Sequence, residues 1–161
     1  MKKRIVVGAT GASGQPLLIK CLEIIRESEK FESYLIMTES ARLTLESETT
    51  WKVEEVEALA DHVLKPEEIG AGPASGSFRT AGMVIVPCSM KTIAGIHSGY
   101  AENLLLRAAD VTIKEQRPLV LAARETPLSP IHLRNLRELS MMPGVRIIPP
   151  MMTFYHCPES I

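Results

Sequence analysis

The sequence has few aromatic residues, no marked excess of either charge and no long apolar run. Aromatic residues make up 4% of its 161 residues, and the formal net charge is −1. Proteins that bind nucleic acids usually combine a basic surface with stacking aromatic side chains, so this composition argues against a nucleic-acid partner. No apolar run approaches the roughly 20 residues that a membrane-spanning helix needs, so we expect no membrane partner either.

The cysteines, Cys21, Cys88 and Cys157, are odd in number and show no metal-ligand spacing. They predict neither a disulfide framework nor a zinc site, and we expect no metal. The apolar run after the basic start is too short for a secretory signal. We therefore expect reduced thiols, a cytoplasmic location and a single domain over residues 1–161, which is long enough for a full core.

Apolar segments of strand length alternate with helical segments along the sequence. Strands are predicted at residues 3–7, 33–37, 83–86, 119–123 and 145–148. Helices are predicted at residues 15–28, 40–48, 53–60, from about 91, 102–115 and 130–139. Strands that are apolar on both faces and separated by helices are typical of parallel sheets. The predicted fold is α/β, a three-layer, doubly wound, mainly parallel sheet of Rossmann or flavodoxin-like type, with ligands at the carboxyl ends of the strands.

Gly8, Gly11 and Gly14 follow the first predicted strand in the stretch GATGASG. A strand, a glycine-rich turn and a helix form a common phosphate cradle, because backbone N–H groups at the helix start can bind an anion. The spacing GxxGxxG differs from the dinucleotide fingerprint GxGxxG. An NADP-binding reductase, with Glu39 as the ribose contact, is one alternative, but no tyrosine here has the required lysine four residues later. A tight turn without a ligand is another.

Polar residues follow three other predicted strands, at the edge where a ligand would lie. Thr38 follows the second strand, residues 87–92 follow the third, and Arg124 and Glu125 follow the fourth. Hydroxyls and backbone N–H groups at helix starts favour anions. An arginine beside a glutamate suggests phosphate recognition next to a proton-transfer group, although a local ion pair is an alternative interpretation.

Arg107 and Lys114 lie seven residues apart on the predicted helix 102–115. Seven residues return to nearly the same helix face, about 10 Å further along the axis. The two cations could therefore hold one anionic leaving group. Asp110 offers an alternative, because it lies three residues from Arg107 and could form a surface ion pair with it.

Four segments of the sequence resemble the UbiX-type flavin prenyltransferases. They occur in the order and with the spacing of that family, and they read GATGASG, PASGSFRTAGMVIVPCSMKTIAGI, LLLRAADVTIKEQRPLVLAARETPLSPIHL and PPMMTFYH. The resemblance implies a Rossmann-like or flavodoxin-like subunit that binds FMN between the subunits of a homododecamer, without a metal. It also implies transfer of a dimethylallyl group from dimethylallyl phosphate to N5 and C6 of reduced FMN. The prenylated FMN would serve a UbiD-type decarboxylase.

The resemblance further implies a role for each residue that matches a family motif. FMN contacts are implied for Gly11, Ala12, Ser13, Thr38, Ser89, Met90, Lys91, Thr92 and Arg124. Binding of the prenyl phosphate is implied for Arg107, Lys114 and Tyr155, and a place beside the prenyl chain for Ser75 and Gly76. Catalytic roles are implied for Glu125, as the proton-transfer group, and for Lys114 and Glu48.

The sequence departs from the family pattern near its end. Family members usually continue beyond FYH through a C-terminal helix with another phosphate-binding cation, and we expect this chain to lack that helix. Cys157 stands where the family usually has the arginine of FYHRP. An FMN-binding protein that stores or delivers flavin without prenyl transfer therefore stays open as an alternative, as does the choice between a phosphate and a pyrophosphate donor.

Overall fold

A sheet of six parallel strands occupies the middle of the structure, a computed structural model that describes residues 2–154. The strands are β1 (Lys3–Ala9), β2 (Phe31–Met37), β3 (His62–Leu64), β4 (Gly82–Cys88), β5 (Leu119–Ala123) and β6 (Val145–Ile147). Their order in the sheet is β3-β2-β1-β4-β5-β6, and each neighbouring pair is parallel. The order reverses between β1 and β4, so this sheet has its switch point, where ligands of such folds bind, at the carboxyl ends of those two strands.

Helices cover both faces of the sheet. They are α1 (Gln15–Glu27), α2 (Glu39–Glu48), α3 (Val53–Glu57), α4 (Met90–Ser98), α5 (Leu104–Lys114) and α6 (Pro130–Ser140), and a 3-10 turn spans Gly72–Ala74. Side chains of a strand point alternately to the two faces, so Val6 and Val7 lie in different apolar clusters. One cluster includes α4, α5 and Leu139 of α6, and the other includes α1, α2 and α3. The predicted three-layer, doubly wound α/β fold is confirmed.

The predicted elements are present, with ends that differ by no more than three residues. The helix predicted from residue 102 begins at Leu104, because the Asn103 side chain accepts a hydrogen bond from Leu106 N at 3.0 Å and caps the first turn. Strand β3 was not predicted. It is short and exposed at His62 and Val63, so its sequence carries no alternation of apolar and polar residues.

Across residues 2–154 the structure contains no helix that is both long and apolar enough to cross a lipid bilayer.

Candidate functional site

Three helices begin at the carboxyl ends of β1, β2 and β4. Helix α1 begins after Gly14, α2 after Thr38 and α4 after Ser89. The Thr38 hydroxyl accepts a hydrogen bond from Ala41 N at 3.2 Å, and the Ser89 hydroxyl accepts one from Thr92 N at 3.4 Å. Helix N-termini carry partial positive charge, so the starts of α2 and α4 favour an anionic ligand at this edge of the sheet, whereas the start of α1 already binds the Glu48 carboxylate.

Two cavities open at this edge, and Ser89 lines both of them. The larger, of about 820 Å³, is lined among others by Thr10, Thr38, Lys91 and Thr92. The smaller, of about 310 Å³, is lined by Gly11, Ala12, Ser13, Thr44, Ser47, Glu48, Ser89, Arg124 and Glu125. Both volumes fall in the range of small-molecule sites. The residues predicted to contact FMN therefore come together here, with the exception of the Met90 side chain.

The glycine-rich segment after β1 is fixed by close packing. A Cβ atom on Gly11 would lie 2.6 Å from Ser40 Cβ, so only glycine lets this segment approach the start of α2 so closely. Gly14 has a φ of +126°, a conformation that side chains disfavour. The buried Gln15 side chain donates from Nε2 to Thr10 O at 2.9 Å and to Ala12 O at 3.2 Å. Gly11, Gly14 and the side-chain amide of Gln15 together fix the backbone conformation of this segment.

Glu48 caps helix α1 from the end of α2. Its Oε2 accepts hydrogen bonds from Gly14 N at 3.0 Å and Gln15 N at 3.1 Å. Its Oε1 is buried and has no hydrogen-bond partner among the described residues. An unpaired buried acceptor is costly, so this oxygen favours a ligand that carries a hydrogen-bond donor.

Arg124 follows β5 directly and is buried, with a relative exposure of 8%. Its backbone N donates to Cys88 O at 3.0 Å, and its Nε donates to Met152 O at 3.4 Å. A buried guanidinium in a cavity wall favours an anionic or electron-rich ligand. Glu125 comes next and is half-buried, and its carboxylate accepts a hydrogen bond from Thr126 N at 3.1 Å.

The segment after β6 runs across this edge of the sheet. Ile148 N donates to Leu121 O at 2.9 Å, and Phe154 N donates to the Ser13 hydroxyl at 3.0 Å. The buried Ser13 therefore connects the glycine-rich segment to the end of the described chain. Tyr155, which is predicted to bind the prenyl phosphate, lies outside the described residues.

Residues predicted to bind the prenyl donor form a second group. They lie on α5 and in the segment 72–80, and we call that segment the serine–glycine loop. Arg107 Nε donates to Ala74 O at 3.3 Å, and a Cβ atom on Gly76 would lie 3.2 Å from Lys114 Nζ. Arg107 also forms an ion pair with Asp110 at 2.5 Å, which is the surface ion pair that the sequence analysis gave as the alternative. Lys114 forms an ion pair with Glu115. Within the described chain, none of Arg107, Lys114, Ser75 and Gly76 lines the two cavities above.

Two predicted or considered residues have core positions instead. The Met90 side chain is 8% exposed and packs in an apolar cluster with Ile93, so only its backbone is available to a ligand. Cys88 is fully buried, and burial raises the pKa of its thiol far above the ordinary value. A neutral buried thiol is not a nucleophile, which agrees with a structural role. Residues 2–154 contain no group of metal-ligating side chains that could hold an ion.

Thr10 and Gln15 are site-building residues that sequence reasoning missed. Thr10 is 1% exposed, and its hydroxyl donates to Pro87 O at 3.0 Å and accepts from Ser89 N at 2.8 Å. It thereby joins the ends of β1 and β4 at the switch point. Its position directly after β1 was the signal that could have identified it. In the sequence analysis, roles in this segment were assigned to the glycines, Ala12 and Ser13, and none to Thr10.

Comparisons with known proteins agree with this geometry. The family model described as Flavoprotein matches residues 1–160. A probable UbiX-like flavin prenyltransferase from Streptomyces sp. (strain D7) is 56% identical over 158 residues, which cover 98% of this chain and 78% of the relative.

Two solved structures are also similar to the chain. The dodecameric FMN-dependent UbiX-like decarboxylase from Escherichia coli O157:H7 has a TM-score of 0.91 and 50% identity, over 98% of this chain and 85% of that one. AnUbiX (PadA1), in complex with FMN and dimethylallyl pyrophosphate, has a TM-score of 0.91 and 48% identity, over 100% and 85% of the two chains. This chain belongs to the Flavoprotein family and, within it, to the UbiX-like flavin prenyltransferases.

Proposed function

We propose that this protein transfers a dimethylallyl group from dimethylallyl phosphate to reduced FMN. The observation that carries the proposal is the pair of adjoining cavities at the switch point, where three helix N-termini, the buried Arg124 and the unpaired Glu48 oxygen meet. A solved relative with 48% identity is in complex with FMN and dimethylallyl pyrophosphate, which supports ligands of the same classes for this chain.

FMN would lie along both cavities. Its phosphate suits the N–H groups of residues 11–13 and the Thr38 hydroxyl, where the helix N-termini offset its charge. Its ring system suits the wall formed by Ser89, Lys91 and Thr92, with Met90 contributing backbone only. Arg124 lines the smaller cavity together with Ser89, which lines both. In its reduced form FMN supplies N5 and C6 as the two positions that accept the prenyl group.

During the transfer, residues of this chain would stabilise the charge on the phosphate and transfer protons. Breakage of the bond between the prenyl carbon and the phosphate oxygen leaves negative charge on the phosphate, which Arg124, Arg107 and Lys114 would stabilise. Glu125 lines the smaller cavity beside Arg124, where it would protonate the departing phosphate and later accept the proton lost from C6. Tyr155 remains a proposed ligand of the same phosphate.

We propose that a second copy of the chain completes the donor site. Among residues 2–154, Arg107, Lys114 and the serine–glycine loop line neither of the two cavities, so a neighbour would supply them for the cations to meet the phosphate. Exposed apolar side chains on and after α6 provide a surface for such contacts, among them Ile131, Leu133, Met141 and Met151. A homododecamer, the state named for the Escherichia coli O157:H7 relative, would supply every copy with a neighbour.

Three wider expectations belong to the same proposal. The chain would form one FMN-binding domain over residues 1–161. The prenylated FMN would pass to a UbiD-type decarboxylase. The reduced thiols expected from the cysteine pattern favour the cytoplasm as the location.

The function is tested by anaerobic incubation of the protein with reduced FMN and dimethylallyl phosphate, followed by mass spectrometry of the extracted flavin. We expect a mass gain of one prenyl unit, with no gain when the donor is omitted. Bound but unmodified FMN would contradict prenyl transfer and support a flavin carrier. The separation of the donor residues from the cavities within one chain is the observation that favours this second candidate.

A further inference from the structure

The serine–glycine loop is held through its backbone carbonyls by Arg117, which lies just beyond α5. Arg117 Nη2 donates to Gly76 O at 2.6 Å, and Nη1 donates to Phe78 O at 2.9 Å. Nη1 also lies 3.5 Å from the Thr80 hydroxyl. The Arg117 side chain is 15% exposed, so these bonds are largely shielded from water. One guanidinium therefore fixes the spacing of two carbonyls in the middle of the loop.

The same guanidinium is linked to the proposed donor cation. Glu115 Oε2 lies 3.8 Å from Arg117 Nη2, and Glu115 also forms an ion pair with Lys114. Gln116 lies between Glu115 and Arg117 in the sequence. It adopts a left-handed backbone conformation with a φ of +54°, which turns the chain at the end of α5. Arg117, Glu115 and Lys114 thus form a continuous set of contacts from the loop carbonyls to the ammonium group.

The Phe78 ring gives the loop a second anchor, which does not involve Arg117. The Phe78 ring packs on Gly72, where a Cβ atom would lie 2.6 Å from the ring. It also meets Tyr34 edge to face at 5.0 Å between centroids, and the Arg4 guanidinium lies 4.4 Å from its centroid. Because Phe78 fixes the loop by packing, loss of the Arg117 hydrogen bonds should loosen residues 75–77 without unfolding the loop as a whole.

We propose that Arg117 is a positioning residue for the prenyl donor: it fixes the serine–glycine loop against the end of α5 so that Gly76 and Lys114 face the donor in one arrangement. This inference rests on the proposed function, because Ser75, Gly76 and Lys114 are donor ligands only within it. Arg117 itself touches backbone carbonyls of its own chain, so it acts through the loop. A lysine at this position keeps the charge but cannot bind two carbonyls in a plane.

The test uses the full chain loaded with oxidised FMN, so that dimethylallyl phosphate binds without turnover. Isothermal titration would give its Kd for the wild type, Arg117→Lys, Arg117→Met and the control Arg79→Met, which removes an exposed arginine from the same loop. Hydrogen exchange of the amides of residues 75–78 would report the loop directly. We expect Arg117→Met to raise the donor Kd about tenfold and to speed this exchange, since small misplacements of binding groups have large effects.

The other readouts separate positioning from a general loss of structure. FMN affinity should stay within about twofold in each variant, and Arg117→Lys should give an intermediate donor Kd, because binding energy is lost only where the loop contacts the donor. An unchanged donor Kd in Arg117→Met, or unchanged exchange at residues 75–78, would overturn the proposal. A wild type that binds donor and FMN but makes no prenylated FMN would contradict the proposed function alone. A wild type that binds no donor would contradict both.

Discussion

The two cavities, which form the proposed cofactor side, and the serine–glycine loop with Arg107 and Lys114, which form the proposed donor side, differ in how far one chain completes them. At the cavities, buried side chains hydrogen-bond to backbone groups of other elements: Glu48 caps α1, Thr10 joins β1 to β4, and Gln15 fixes the glycine-rich segment. At the loop, the cations Arg107 and Lys114 are half-exposed and pair with acidic residues of their own chain segment. Exposed ion pairs of this kind are weak, so they exchange readily for a stronger anion.

The two regions therefore differ in how far their binding groups are organised within one chain. The cofactor side is organised before any ligand arrives, which favours tight binding of FMN in one orientation. On the donor side, the cations are paired with acidic residues of their own chain, and the phosphate of the proposed donor would have to replace these partners. Changes on the cofactor side should therefore alter FMN binding or chemistry, and changes on the donor side should alter donor affinity or phosphate departure while FMN binding stays the same.

The largest effect is expected at Glu125. Glu125→Gln should keep FMN binding but slow prenyl transfer by about 100-fold or more, the usual scale for loss of a general acid–base group. Rates come from single-turnover assays with reduced FMN, and FMN affinity comes from flavin fluorescence. A variant with wild-type rates would remove Glu125 from the proton-transfer role.

A smaller effect is expected at Lys114. Lys114→Met should raise the KM for dimethylallyl phosphate about tenfold, because one cation leaves the phosphate site, while the FMN Kd stays unchanged. Steady-state kinetics at varied donor concentration would measure this, with Lys20→Met on the exposed face of α1 as the matched control. An altered FMN Kd, or a KM equal to that of the control, would break the separation between the two regions.

Substitution of Thr10 should have the opposite effect to substitution of Lys114: the FMN Kd should change and the donor KM should not. The expected change is also smaller. Thr10→Val removes the hydroxyl that bonds to Pro87 O and Ser89 N, and we expect the FMN Kd to rise about fivefold, because the two lost hydrogen bonds position the cavity wall and do not themselves contact FMN. Thr10→Ser keeps the hydroxyl and should restore the affinity. The measurement is fluorescence titration of FMN, and equal affinities for the two variants would argue that Thr10 does not position the site.

The smallest response is expected at Cys88, where we predict no reaction at all in the folded protein. Burial raises the pKa of this thiol, so it stays protonated at pH 8 and cannot attack an alkylating reagent. Mass spectrometry after iodoacetamide treatment should find Cys88 modified only after unfolding in denaturant. Modification in the native state would show that the cofactor side opens more than the structure indicates.

The fold and the cofactor side were largely predictable from the sequence. The strands are apolar runs, so the parallel sheet follows, and residues directly after strands share one edge of any such sheet. That rule alone brought Thr38, Ser89, Arg124 and Glu125 together.

Other features depended on tertiary contacts that no local pattern encodes. Met90 lies in a promising motif, yet its side chain packs in the core, because each helical residue is rotated about 100° from the last and Met90 falls on the face that packs with Ile93. Thr10 and Arg117 act through backbone carbonyls distant in sequence, and such partners carry no residue signature. The short strand β3 was missed because an exposed edge strand needs no apolar alternation.

The central claim is that the two regions meet across copies of the chain, and subunit complementation tests it most directly. Glu125→Gln and Lys114→Met chains would be denatured together, refolded as mixed oligomers and assayed at a low donor concentration. Random mixing should restore about one quarter of wild-type activity, since one neighbour in each productive pair must supply Glu125 and the other Lys114. Activity that remains at the mean of the two separately refolded variants would contradict the claim and place the whole site within one chain.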